Sequence, residues 1–375
     1  MSLTPQDQQR LQKYYEEVST NVDNLIGYPC AKDFEYEELD RFLRLPLNNV
    51  GDPFASSTAK IDSREFEREV LEFWAKQLRA PTDNWWGYVT SGGTEGNLYA
   101  LYLARELLPD GIVYYSRDTH YSVGKNVHVL NMRNIMIRSQ PNGEIDYEDL
   151  AATMAIHRDV PPILFLNIGT TMTEARDDIA RIRGLLDDLA LPRYYIHADA
   201  AMSGAIAPFV DPRPQFDFED GADSVTISGH KFIGSPVPCG MVLAKRDNVN
   251  RIARSIAYIG SLDTTIGGSR SGYAPLVLWY AMKRWGVEGM RQRATHCLNL
   301  AAYACDKLCE QGVKAWRNPD AITVVMPEVP VSIREKWQLA SADGISHLII
   351  TPSIQKSEVD RFASELDQAL QEANS

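Results

Sequence analysis

Between residues 64 and 245 the chain alternates between short apolar runs and helical or polar stretches, and this alternation constrains the fold more than any other feature. The runs lie at 85–91, 112–116, 135–138, 163–168, 194–198 and 224–227, with one more at 241–244 after Cys239-Gly240. Helical periodicity is expected at 64–78 and 95–108. Strands that alternate with helices build a mostly parallel sheet covered on both faces, because each crossover lays its helix on the sheet. The expected body is therefore an α/β domain over residues 51–275. From about residue 274 the character changes to a long helical stretch (276–308), apolar runs at 322–326 and 348–351, and a last helix at 356–372. Residues 276–375 thus read as a small C-terminal α+β domain. Residues 1–50 read as helix (7–18), loop and helix (36–43), too short for a core of their own. They are expected to form an arm that packs on the body or on a second subunit.

Composition excludes several function classes. The net charge is −12, and the pI is about 5.1. Nucleic-acid partners call for basic patches, and anionic membranes attract cations, so neither is expected. No apolar run approaches the roughly 20 residues of a membrane span. The polar first residues give no signal-peptide core, so a cytoplasmic location is expected. The five cysteines, Cys30, Cys239, Cys297, Cys305 and Cys309, contain no C-x-x-C pair. Neither a disulfide framework nor a zinc site is expected from them, and no metal is expected in the site.

The chemistry is concentrated at the ends of the apolar runs. Gly92-Gly93-Thr94-Glu95-Gly96-Asn97 opens a helix, Asp199 ends a strand in His197-Ala198-Asp199-Ala200-Ala201, and Lys231 follows one in Ser228-Gly229-His230-Lys231. A glycine turn, a carboxylate and an amine, in that order, are what pyridoxal 5'-phosphate requires. The amine forms a Schiff base with the aldehyde, and the carboxylate keeps the pyridine nitrogen protonated. Backbone N–H groups at a helix start receive the phosphate. Each residue also has a plainer reading. Lys231 alone would be a solvated charge. Asp199 could cap a helix at 200–206, yet an aspartate is rarely buried unpaired, and a strand end in an α/β sheet faces the ligand crevice. The glycine turn is neither G-x-G-x-x-G nor a Walker loop. His120, in Thr119-His120-Tyr121-Ser122, is either a satisfied histidine or a ring that stacks on the pyridine and moves a proton. Thr170-Thr171 are either turn hydroxyls or groups within reach of the cofactor's phenolic oxygen.

These segments resemble the group II pyridoxal-phosphate decarboxylases, which have the aspartate-aminotransferase fold (fold type I). The resemblance is carried by residues 86–97, 118–122, 143–146, 167–171, 197–201, 228–231 and 268–270, within a match over about residues 25 to 365. Within that group the chain is similar to the short bacterial histidine decarboxylases and the plant serine decarboxylases. The resemblance implies that Lys231 carries the Schiff base, that His120 and Ala201 lie on opposite faces of the ring, and that Asp199 meets the ring nitrogen. It assigns the phosphate to Gly92, Gly93, Thr94, Ser228 and His230. It also implies a homodimer in which Ser269 reaches the phosphate of the neighbouring subunit. Thr170 is added as a cofactor contact.

Two departures bear on the substrate. Animal relatives carry an arginine for the substrate carboxylate where this chain has His347. The stretch 50–57, with Asp52 and Phe54, lies where the family lines its substrate pocket and reads like the serine branch, whereas an aromatic expected a little further on is Ala59. The candidate substrate contacts are therefore His120, Asp52, Phe54 and His347. The resemblance implies that an L-amino acid loses CO2, with L-histidine first and L-serine as the alternative. Transamination remains open on the same fold. Cysteine desulfuration is disfavoured because Cys239 follows Lys231 too closely to sit on a free loop. A cofactor-binding pseudoenzyme would lack Lys231, Asp199 or His120, and all three are present.

Overall fold

The computed structural model describes residues 3–33, 35–55, 60–256 and 261–374. Strand β1 (Asn48–Val50) precedes the main sheet, which consists of β2 (Trp86–Thr90), β3 (Ile112–Ser116), β4 (Arg133–Ile137), β5 (Pro162–Asn167), β6 (Tyr195–Asp199), β7 (Ser224–Ser228) and β8 (Gly240–Ala244). The order across the sheet is β2-β8-β7-β6-β5-β3-β4. β4, β3, β5, β6 and β7 pair in parallel, and β8 pairs antiparallel with both β7 and β2. Only β8 is reversed, so the C-terminal ends of the other six strands share one edge. The mostly parallel sheet expected from the sequence is present, with strands within two residues of the expected runs.

Burial explains the apolar runs. Every residue of β5 and β6 is buried, because helices cover both faces. Alternate residues serve different cores. Leu164, Leu166, Ile196 and Ala198 pack with helices Arg64–Gln77, Tyr147–Ile156 and Ile179–Asp188. Ile163, Phe165 and Tyr195 pack on the other face with Tyr99, Leu103 and Val123, from helices Gly93–Leu107 and Ser122–Val129. Gly96 lets the first of these helices sit close to β7: a Cβ there would lie 2.6 Å from Thr226 Cγ2.

Beyond the sheet, β9 (Arg254–Ile256) pairs with β10 (Ser261–Asp263), and β11 (Ser269–Ser271) pairs with β1. A buried ion pair between Glu67 and Arg270 fixes this second pairing, and Asn49 Nδ2 donates to Glu67 at 2.8 Å. The helical stretch expected at 276–308 is Tyr273–Glu310, broken at Gly286, whose φ of 56° is the left-handed region that favours glycine. Before the break, Ala274, Leu278 and Ala281 belong to the sheet's core; Leu300, Ala301 and Leu308, near the end, belong to another. That second core packs the helix Lys356–Asn374 on an antiparallel sheet of β12 (Thr323–Pro327), β13 (Ser341–Ala342) and β14 (Ile345–Ile349), in the order β12-β14-β13. The boundary placed near residue 275 thus falls at the start of a helix that crosses from one core to the other.

Glu174 fastens the two parts together. Its buried carboxylate accepts from the N–H groups of Ile322 and Thr323, both at 2.9 Å, and from the hydroxyls of Thr323 (2.7 Å) and Ser203 (2.9 Å). The arm joins the second core through Ile26, whose carbonyl accepts from Ile349 N at 2.8 Å. The first helix, Pro5–Val22, is set by a capping box between Thr4 and Asp7, and none of its residues is buried.

Candidate active site

A cavity of about 460 Å³ opens at the C-terminal edge of the sheet, between it, the arm and β14. Asp199 ends β6 and Ser228 ends β7, and both line this cavity, as do His230 and Lys231 just beyond β7. Gly93 and Thr94 bring in the start of the helix Gly93–Leu107, and His120 and Ala201 come from the loops after β3 and β6. Residues far apart in sequence therefore meet for one reason: parallel strands deliver their C-terminal ends to the same crevice.

The two charges are both displaced by burial. Burial pushes the Lys231 ammonium below the usual lysine range, against the opposing pull of Asp199, Cys30 and Glu174. Burial pushes the Asp199 carboxyl up, while the Ala201 N–H, Lys231 and Asn97 act against it. Asn97 Nδ2 donates to one carboxylate oxygen at 2.8 Å, and Ala201 N to the other at 3.1 Å. The plain capping role for Asp199 is absent, because residues 201–206 form turns and no α-helix follows. His120 Nδ1 lies 2.8 Å from the Ser122 hydroxyl and accepts from Ser122 N at 3.3 Å, which leaves its ring proton on Nε2. Burial, then Lys231 and Lys125, hold this ring below the usual histidine range, so it is neutral at pH 7.

The residues present fit pyridoxal phosphate. A Cβ on Gly93 would lie 3.0 Å from Ala201 Cβ and 3.1 Å from Ser228 Oγ, so glycine leaves a cradle at the helix start. Unpaired helix N–H groups and hydroxyls there suit a phosphate. A buried amine and a buried carboxylate face the same cavity, as the aldehyde and ring nitrogen require.

Several expected contacts fall elsewhere. Thr170 is buried under the loop, 2.9 Å from the Thr173 hydroxyl and accepting from Ala175 N at 3.0 Å; Gly169 and Thr171 line the cavity in its place. Asp52 accepts from Trp86 Nε1 and Thr264 Oγ1, both at 3.0 Å, and Phe54 packs edge-on against Trp85, so neither lines this cavity. Ser56, Ser57 and Ala59 lie outside the described residues. Gly92 precedes the helix without lining the cavity, and Ser269 is exposed, with its hydroxyl accepting from Asn48 Nδ2 at 3.1 Å. His347 does line it, but its Nδ1 donates to the Met172 carbonyl at 3.0 Å. Burial holds that ring below the usual histidine range, with the Met172 and Gly27 carbonyls pulling the other way. Its polar edge is engaged by backbone and does not reproduce a free arginine.

Sequence reasoning left Tyr28, Cys30, Asn97 and Ala340 without a role, and all four line the cavity. Asn97 had a signal: it stands four residues after Gly93 on the same helix face. The others arrive through long-range packing, which leaves no local pattern.

A family profile described as "Pyridoxal-dependent decarboxylase conserved domain" matches residues 63–325. The chain belongs to this family. The decarboxylase uses pyridoxal 5'-phosphate as its cofactor. It is 50% identical over 358 residues to a histidine decarboxylase of Mesorhizobium japonicum, covering 96% of this chain and 97% of that protein. It is 47% identical to one of Pseudomonas entomophila, over 98% and 92% of the two chains. Among solved structures, L-methionine decarboxylase from Streptomyces sp.590 superposes with a TM-score of 0.89 at 28% identity, covering 98% of this chain and 96% of that one. A glutamate decarboxylase of Lactobacillus brevis, 17% identical over 99% and 93% of the two chains, shares the fold with a TM-score of 0.81.

The cradle makes a direct prediction. Gly93→Ala should leave the protein folded but weaken cofactor binding by about tenfold or more, the scale of overpacking a tight site. Titration of the apoenzyme with pyridoxal phosphate checks it; an unchanged affinity would mean that the phosphate does not use this turn.

Proposed function

We propose that the decarboxylase acts on L-histidine, releasing CO2 and histamine, as a cytoplasmic homodimer. The substrate reading is carried by near-full-length similarity, at 47 to 50% identity, to bacterial proteins named histidine decarboxylase. One argument for L-serine also loses its footing. Asp52 and Phe54, in the serine-like stretch, are committed to Trp86, Thr264 and Trp85 and do not narrow the cavity.

When bound, pyridoxal phosphate supplies an electron sink for the pair left on Cα as the carboxylate departs. In this reading Lys231 provides the amine for the cofactor's aldehyde, and its lowered pKa raises the share of neutral nucleophile. Gly93, Thr94, Ser228 and His230, which line the cavity at the helix start, would hold the phosphate. Asp199 would hold the ring nitrogen protonated. Ala201 and His120 would lie against the ring, and His120, with its proton on Nε2, is the group that would offer a proton to Cα. His347 shapes the substrate end as a neutral wall.

Lys231→Ala should abolish turnover while the fold persists, and borohydride reduction of the wild-type holoenzyme should fix the cofactor on Lys231. A tag on another lysine defeats that assignment.

Competition between histidine and serine at equal concentration tests the substrate. A site that hydrogen-bonds its substrate's polar group can reject an analogue by ~10⁴, whereas size alone yields only ~10–200-fold. Histamine should therefore dominate clearly. A predominance of ethanolamine replaces this reading with the serine one, and the appearance of neither amine means a third substrate.

The dimer is supported by the helix Pro5–Val22, where Leu11, Tyr14, Tyr15 and Val18 remain exposed in a single chain. A second copy of the chain is the occupant that would cover them, with Ser269 on the surface facing its partner. Light scattering at micromolar concentration should give twice the chain mass; a fully active monomer would sink the idea. The five unpaired cysteines favour a reducing cytoplasm, which cell fractionation would check.

A further inference from the structure

Asp199 is the end of a line of side chains buried between β6, β7 and the helix Gly93–Leu107. Asn97 Nδ2 lies 2.8 Å from Asp199 Oδ2, and Asn97 Oδ1 lies 2.9 Å from His197 Nε2. His197 Nδ1 is 2.8 Å from Ser224 Oγ, which is 2.9 Å from the Tyr195 hydroxyl. All four residues behind Asp199 are at most 2% exposed. The sheet brings two of its members together, since His197 and Ser224 are partners in the parallel register of β6 and β7.

With Asp199 ionised, the chemistry of these groups sets one direction for the bonds along the line. A carboxylate only accepts, so Asn97 must turn its NH2 to Asp199 and its carbonyl oxygen to His197. That oxygen also only accepts, so His197 must carry its proton on Nε2. Burial pushes His197 down to about 3, with the Ser224 backbone carbonyl acting against it, so the ring is neutral and its Nδ1 is bare. Nδ1 accepts from the Ser224 hydroxyl, and Ser224 accepts from Tyr195. Every donor points toward Asp199. With the His197 proton on Nδ1, the Asn97 amide would have to turn over and set its oxygen against a carboxylate oxygen. The order of protons along the line and the charge on Asp199 are thus one state.

We propose that Asn97 and His197, backed by Ser224, are positioning residues that keep Asp199 ionised and aimed at the ring nitrogen of the cofactor. Burial by itself favours the neutral acid at this position. Aligned N–H and O–H dipoles favour the anion, and in a dry interior each bond strengthens the next. The inference rests on pyridoxal phosphate as cofactor and is independent of which amino acid is decarboxylated.

The first test needs no variant. In the wild-type holoenzyme with ring-labelled histidine, nitrogen NMR should find His197 protonated on Nε2 and bare on Nδ1, the signals being identified by their loss in His197→Gln. An Nδ1–H tautomer overturns the proposal. The second test uses cofactor labelled at the ring nitrogen. Asn97→Leu and His197→Phe should move that nitrogen toward the unprotonated form and lower kcat about tenfold to a hundredfold, as loss of a supporting contact does, with KM little changed. His197→Gln, whose amide N–H can stand in for Nε2–H, should recover both readouts. Tyr195→Phe, at the far end, should change neither. A protonated ring nitrogen and wild-type kcat in His197→Phe would reduce the line to packing.

Discussion

The constraint on which the rest depends is that parallel strands put their C-terminal ends on a single edge. Thr90, Ser116, Asn167, Asp199 and Ser228 end five strands at one edge of the sheet, and Asp199 and Ser228 line the cavity there, although the chain between Thr90 and Ser228 passes through several crossover helices. The helix Gly93–Leu107 starts at that same edge with no side-chain cap, bringing its unpaired N–H groups with it. Amine, carboxylate and phosphate cradle therefore need no special loop to meet. β8 is compatible with this because it runs backwards: it starts at the edge with Gly240, opposite both Ser228 and Thr90. A Cβ on Gly240 would lie 2.7 Å from the Ile227 carbonyl oxygen, so the reversed strand enters where only glycine fits.

What could be read from the sequence follows the range of the forces involved. Lys231, Asp199, Ser228 and Gly93 were legible because each sits at a punctuation point, a strand end or helix start, that local pattern reveals. Thr170 was displaced by one residue. The turn after β5 passes through Gly169 at φ +105°, and there a Cβ would lie 2.5 Å from Ser203 Oγ. No reading of strand periodicity extends through such a turn, so Thr171 reaches the cavity and Thr170 turns inward. Asp52 looked available as a buried carboxylate near a pocket, but its partners Trp86 and Thr264 lie 34 and 212 residues away in the chain. The break at Gly286 was hidden because the residues on either side keep helical character.

The arm and the small domain complete the cavity from the side opposite the sheet. Tyr28 and Cys30 come from the arm, and Ala340, His347 and Ile349 come from the small domain. These segments are held by backbone and carboxylate contacts, notably Ile26 with Ile349 and Glu174 with the start of β12. The sheet edge thus carries Lys231, Asp199 and the helix start, and the opposite wall carries Tyr28, Cys30, Ala340, His347 and Ile349.

The histidines of the cavity show how burial divides the work. Burial lowers His120, His230 and His347 alike, so each serves as a neutral ring. The field inside the cavity is then set by Lys231, Asp199 and the helix start, with no competing imidazolium. A neutral ring still has direction, because the hydrogen bond to one nitrogen decides where the proton sits. For His120 the fixed donor is Ser122 N, which reserves Nε2 for the proton. For His347 the Met172 carbonyl accepts from Nδ1, and the Gly27 carbonyl also acts on the ring. Backbone groups thereby orient two histidines in one cavity differently: a donor N–H faces Nδ1 of His120, and an acceptor carbonyl faces Nδ1 of His347.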